Sequence, residues 1–234
     1  VLQISLLALT AGTAIAQDVV TLKVHHFLPP SSTAHAKFIV PWCDKIAKES
    51  NNRMKCQIYP AMQLGGTPAQ LFDQAKDGVA DIIWTVPGYQ AGRFTVSEAF
   101  ELPFIVTSTE KGSRALWHYA TKNAMQEFKG VKPILFHLHD GNLLHTARKQ
   151  IKSLEDFRGA KVRAATRQST KMLTALGATP VPMPLPQTPE SLAKGVIDGA
   201  LIPWEVSPAL KLEEIAQFHT ELDPSSGQIS NSVF

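Results

Sequence analysis

The stretch from Gly159 to Glu205, GAKVRAATRQSTKMLTALGATPVPMPLPQTPESLAKGVIDGALIPWE, reads as strand, helix, strand, helix, strand. GAKVRA alternates like a half-buried strand. RQSTKMLTALGA sets Met172, Leu173 and Leu176 on one helical face with Gly177 as the cap, and TPVPM is again extended. Strands alternating with helices mark an α/β fold. Arg163 falls at the carboxyl end of the first of these strands and Arg167 at or near the first turn of the helix. Ligands bind at strand ends in α/β sheets, and a helix N-terminus favours an anion. An arginine fork there can clamp a carboxylate with two parallel hydrogen bonds, whereas most arginines are simply solvated.

Working outward, VTLKVHHF is a strand, and Ser31 to Thr33 supply caps for a helix from Ala36 to Ser50 that Pro41 should bend or break near Val40. A strand follows from Met54 to Tyr59. Thr67 then caps a helix with Pro68 in its first turn, and Gly78 ends it before a strand from Ala80 to Val86. This unit has an echo: Thr67-Pro68, Leu71, Lys76, Gly78-Val79 and Asp81 recur as Thr188-Pro189, Leu192, Lys194, Gly195-Val196 and Asp198. Each copy leads to a strand and a Trp, the pattern of two related α/β lobes. Between them the pattern gives an amphipathic helix from about Lys111 to Phe128, a strand from Lys132 to His137, and a crossing strand in FHLHDGN.

The runs GAKVRA, LGATPVPMP, PESLAKGVIDG and IPWE, with ELPFI at Glu101 to Ile105 and QLGG at Gln63 to Gly66, stand in the order and spacing of one family. Over roughly Val20 to Phe234 the chain resembles the solute-binding proteins of the tripartite ATP-independent periplasmic (TRAP) transporters, the DctP-like family. The resemblance implies a two-lobed α/β periplasmic binding protein, type II-like and hinge-linked. Residues 17–138 would form lobe I, residues 139–218 lobe II, and residues 219–234 a segment returning toward lobe I. It also implies that Arg163 pairs with the carboxylate of an organic acid, that no cofactor is needed, and that the acid passes to TRAP membrane subunits driven by an ion gradient. The family continues beyond the position of Phe234 with more strand and long helices, so a fragment is expected.

At 234 residues, 44% hydrophobic and 18% charged, the chain can bury one or two cores. Its formal charge of +3 is slight, and the basic residues are scattered, which argues against nucleic-acid binding. LQISLLALTAGTAIA followed by Gln17-Asp18 has the form of a partial signal peptide over residues 1–16, ending at Ala14-Ile15-Ala16, and places the mature protein in the periplasm. In that oxidising setting Cys43, on the helix, and Cys56, on the strand after the Asn51-Asn52 turn, are expected to form a disulfide; two separate buried thiols are the alternative.

Three chemistries compete. His137-x-His139-Asp140 could aim two imidazoles at one metal, as in an exported metal-dependent hydrolase, but few further His ligands follow. His25-His26 alternates faces on a strand and reads as structural. No G-x-S-x-G elbow, activated cysteine, G-x-G-x-x-G or Walker string is present, so catalysis has no positive signal. The third is a pocket for a small organic anion, built from Arg163 and Arg167 with Phe27, Trp84, Val86, Tyr89, Leu185, Ile202 and Trp204, which share placement after strands or in strand-to-helix loops. Alternation leaves Trp84 able to turn inward to its sheet. Such a lining favours a compact monocarboxylate with an apolar or aromatic tail, with Arg167 open to a second polar contact.

Overall fold

The computed structural model describes residues 18–221 and 223–234; the signal peptide expected over residues 1–16 lies outside the described residues. The first half contains β1 (Val20–His26), α1 (Val40–Glu49), β2 (Met54–Tyr59), α2 (Leu71–Lys76), β3 (Ile82–Trp84), α3 (Thr109–Asn123) and β4 (His137–Leu138). The second contains β5 (Asn142–Thr146), β6 (Lys161–Ala164), α4 (Arg167–Ala175), β7 (Thr179–Pro182), α5 (Thr188–Ala193), β8 (Gly199–Pro203), β9 (Phe218–Thr220) and β10 (Ser232–Val233). The fold is two-lobed α/β. In the first lobe the strands run β2-β1-β3, all parallel. In the second they run β7-β6-β8-β5-β9, with β5 antiparallel to both its neighbours.

Local chemistry fixes the element ends. Thr67 and Gln70 form a capping box at a 3-10 turn that leads into α2, and Gly78 takes the left-handed conformation that ends it. Pro41 lacks an N–H and cannot continue a regular ladder, so the expected long helix divides: a π-helical turn over His35–Ile39 passes into α1 with Pro41 in its first turn. Cys43 on α1 and Cys56 on β2 are joined in a disulfide with their Cα atoms 5.6 Å apart.

Two differences from the sequence reading concern boundaries. Lys132 to Phe136 is not strand: Pro133 has no donor for a ladder, Ile134 and Leu135 face outward, and only His137–Leu138 pairs. His219 and Thr220 pair with β5, which carries the second sheet beyond residue 218. The following chain then crosses to the first lobe. There β10 pairs antiparallel with β4, and Phe234 exchanges backbone hydrogen bonds with Thr85 at 2.9 and 3.0 Å.

Each lobe has its own core. Phe72, Phe94, Leu116, Phe128 and Phe136 fill the first, and Val162, Ala164, Leu173 and Leu201 pack beneath α4 in the second. A further cluster spans both, with Phe27, Leu28 and Val86 from the first lobe against Leu185, Ile202 and Leu212 from the second. Each such side chain contributes about 1.5–3 kcal/mol on full burial, so the lobes are held face to face by apolar packing around the site.

Candidate functional site

Arg163 is the centre of the site. It stands in a strand paired on both sides, opposite Val181 of β7 and Ala200 of β8, so its backbone is fixed. Its side chain is 3% exposed. Nε donates to the Met183 carbonyl at 3.0 Å and Nη1 to the Leu201 carbonyl at 2.9 Å. Those bonds orient the fork, the Tyr89 hydroxyl stands against it as well, and N–H groups remain beyond these contacts for a ligand. No carboxylate among the described residues forms an ion pair with it. A buried guanidinium without a counter-charge is costly, and burial pulls its pKa below the ordinary arginine value, with the Tyr89 hydroxyl working against that fall. An anion brought to it relieves that cost.

Arg163 lines a cavity of ≈ 50 Å³ at the seam of the lobes. Phe27, Trp84, Val86 and Tyr89 from the first lobe and Leu185 from the second share that lining. The Phe27 ring lies 5.4 Å from the Trp84 ring and 5.4 Å from that of Tyr89, one tilted and one edge-on. Tyr89 bridges the seam, its hydroxyl accepting from the Leu185 N–H at 3.3 Å. Burial raises its pKa, so the phenol keeps a proton to donate.

Three expected members lie elsewhere. Arg167 does begin α4, but its guanidinium is taken by Glu98, which is itself 6% exposed, through a bond from Nη2 to Oε1 and one from Nε to Oε2 at 3.3 Å. It ties the lobes together outside the cavity. Ile202 is fully buried in the core because alternation along β8 turns it into the cluster between the lobes. Trp204 follows Pro203, is 40% exposed, stacks on His145 and His219, and donates to Glu221 Oε1 at 2.6 Å.

The sequence reading missed the polar wall: His139, Asn142, Glu205 and Asn231 also line the cavity. Asn142 Nδ2 donates to Asn231 Oδ1 at 3.3 Å, and the Asn231 N–H donates to His139 Nε2 at 3.1 Å. Asn231 is brought in by the returning C-terminal segment, 89 positions from Asn142, a pairing with no local signal. His137 accepts from Trp84 Nε1 at 3.2 Å. The two histidines of the hydrolase reading are thus engaged by protein groups, and no cluster of three or more His, Cys, Asp or Glu suited to a metal occurs among the described residues. His25 and His26 are buried supports. His25 meets Gln74 at 2.7 Å and His26 meets His35 at 2.9 Å, and burial lowers the His26 pKa to about 4.

A larger apolar groove of ≈ 490 Å³ runs past Trp42, Ile82, Ile134 and Phe234 in the first lobe, where the charged lining residues are Asp81 and Lys132. It offers no buried cation to an acid. Of the two, only the smaller seam cavity has a buried guanidinium in its lining.

Comparison with known proteins gives the family and the fold. The family model described as "DctP: Bacterial extracellular solute-binding protein, family 7" matches residues 24–225. A TRAP solute-binding protein from Rhodoferax ferrireducens, solved with copurified benzoate, is 51% identical with a TM-score of 0.90, over 92% of this chain and 67% of that one. A marine metagenome TRAP solute-binding protein specific for aromatic acid ligands, solved with 3-hydroxybenzoate, is 48% identical with a TM-score of 0.89, over 92% of this chain and 68% of that one. The curated outer membrane transporter protein TsaT of Comamonas testosteroni is 23% identical over 90% of this chain, which spans 62% of its length.

Proposed function

Because the chain belongs to the DctP family of bacterial extracellular solute-binding proteins, we propose that it captures a small monocarboxylate with an aromatic or branched apolar body outside the cytoplasm and passes it to the membrane subunits of a TRAP transporter. The observation that carries this reading is Arg163, a buried guanidinium without an acidic partner that faces an aromatic wall. The carboxylate takes the free edge of the fork and the Tyr89 proton. The body of the acid lies against Phe27, Trp84, Val86 and Leu185, gaining about 25 cal/mol for each Å² of apolar surface it buries. Lining residues from both lobes meet around it, so closure of one lobe on the other encloses the acid, and the ligand favours the closed state by its contacts with both. A polyhydroxylated hexuronate would leave several hydroxyls unpaired against this wall at about 1–3 kcal/mol each and is rejected.

Calorimetry with benzoate on the wild type and on Arg163→Ala tests the reading. Loss of the buried partner should weaken binding by about 3–5 kcal/mol, a few hundredfold or more, with the circular dichroism spectrum retained. Arg163→Lys should also fail, since a point charge does not reproduce the fork. Near-normal affinity in the Ala variant, or tight binding of a hexuronate with none of benzoate, would overturn it.

A further inference from the structure

We propose that Asn142, held by Asn231 and His139, reads a hydroxyl on the ring of the bound acid, so that the preferred ligand is a hydroxy-substituted aromatic monocarboxylate. This rests on the acid-binding reading above and adds to it the polar end of the site. Asn142 is 6% exposed, and its amide directs one edge to Asn231, 3.3 Å away. The other edge has no protein hydrogen-bond partner among the described residues, yet the residue lines the cavity. That edge opens on the cavity rather than being sealed in protein, and a hydroxyl satisfies it in either amide orientation because a hydroxyl both donates and accepts.

Arg163 and Asn142 enter the cavity from separate points. Arg163 Nη1 is anchored on the Leu201 carbonyl, while Asn142 pairs with Pro203, two residues farther along β8. At ~3.3 Å per residue those backbone positions lie roughly 7 Å apart along the strand. One acid can therefore meet the guanidinium with its carboxylate and the amide with a substituent elsewhere on its ring. A second carboxylate does not match this end. Arg163 is the one Lys or Arg in the described lining, and Glu205 stands at the rim. His139 lies against Asn231, its Nε2 2.9 Å from Asn231 Oδ1 and 3.1 Å from the Asn231 nitrogen, and so positions that residue.

Calorimetric titration of the wild type, Asn142→Ala and Asn142→Ser with benzoate, 3-hydroxybenzoate and 4-hydroxybenzoate tests the inference. The wild type should bind one of the two hydroxybenzoates more tightly than benzoate by roughly 2- to 12-fold, the net worth of a neutral hydrogen bond. In Asn142→Ala the ratio of that hydroxybenzoate's Kd to that of benzoate should move to about one. Asn142→Ser, which restores a hydroxyl, should recover part of the preference. The ratio is the readout, so a general change in affinity does not mimic it. Binding of benzoate with a ratio unaltered by Asn142→Ala overturns this inference and leaves the acid-binding reading standing. Binding of none of the three acids by the wild type overturns both.

Discussion

The two strand-to-tryptophan units, Thr67 to Trp84 and Thr188 to Trp204, enter their sheets alike and leave them differently. Asp81 accepts the Lys23 N–H at 2.7 Å and returns its own N–H to the Lys23 carbonyl at 3.0 Å. Asp198 does the same with Lys161, at 2.8 and 2.7 Å. The exits diverge because the strands differ in length. Trp84 is the last residue of β3, half-buried against Phe27 and lining the cavity. Trp204 lies beyond Pro203, which ends the five-residue β8, and has swung out to Glu221. A shared string fixes a strand's entry through side-chain-to-backbone bonds, whereas the side chain at the other end obeys the residue count between. As a result the first lobe supplies the aromatic wall and the second the buried charge.

The comparison breaks most directly at the tryptophans. Trp84→Ala should destabilise the protein by about 3 kcal/mol, the low end for such truncations because the ring is only partly buried, and should weaken benzoate by tenfold or more (about 1.4 kcal/mol). Trp204→Ala should cost about 1 kcal/mol or less and leave affinity within about twofold, since the ring lies on the surface away from the cavity. Denaturant unfolding and calorimetry on the two variants measure this. Equal losses of affinity would make the tryptophans equivalent and move the site.

That contrast also shows how far the sequence could be read. The α/β units, the echo, the Cys43 and Cys56 proximity and the strand-end position of Arg163 follow from periodicity, turn chemistry and motif order, all of which act over short distances. Phe27, Val86, Tyr89 and Leu185 were reachable because each follows a strand or sits in a loop beside one. Ile202 packs in the cluster between the lobes while its neighbour Pro203 lines the cavity, and Trp204 lies on the surface while Glu205 lines it: alternation separates the two parities, and nothing local tells which one meets the cavity. Arg167 was misassigned because its partner, Glu98, is 69 positions away. Asn142 and Asn231 meet only when the returning segment lies across the seam. Nothing in their own neighbourhoods marks them.

A second asymmetry sets two buried charged residues, Arg163 and Glu101, apart. Arg163 serves the cavity from the second lobe, while Glu101 of the first is 3% exposed beside Thr166, Asn231 and Ser232. Glu101 Oε1 accepts the Ser232 N–H at 3.2 Å, and Oε2 has no partner among the described residues. Desolvation raises its pKa to about 7, opposed by the Thr166 and Ser232 hydrogen bonds and reinforced by the charge of Glu98. The folded state therefore binds a proton that the unfolded state has released between about pH 4.5 and pH 7. Stability should fall as pH rises through that window, by at most about 3 kcal/mol from this group. Glu101→Gln keeps the shape and removes the ionisation, so its stability should be flatter with pH over the same range. A wild-type profile that rises from pH 5 to pH 7, with the Gln variant parallel to it, would show the carboxyl to be ionised and compensated in the folded protein.

The smallest effect tests the half of the comparison in which the units agree. Asp81 and Asp198 are exposed carboxylates, each accepting a backbone N–H from a neighbouring strand, Lys23 within β1 and Lys161 at the start of β6. Solvent screens their charge, so each interaction is worth about 1 kcal/mol, below the range for buried charge-assisted bonds. Asp81→Ala and Asp198→Ala should each lower stability by about that amount, and each Asn variant by less, because the amide oxygen still accepts. The two residues lie in different sheets and share no hydrogen-bond partner, so the double Ala variant should lose the sum of the single losses to within about 0.5 kcal/mol. Denaturant midpoints at constant m-value give the three differences. If Asp81→Ala costs about 1 kcal/mol while Asp198→Ala costs nothing measurable, the common string does not do common work in the two lobes, and their likeness stops at the sequence.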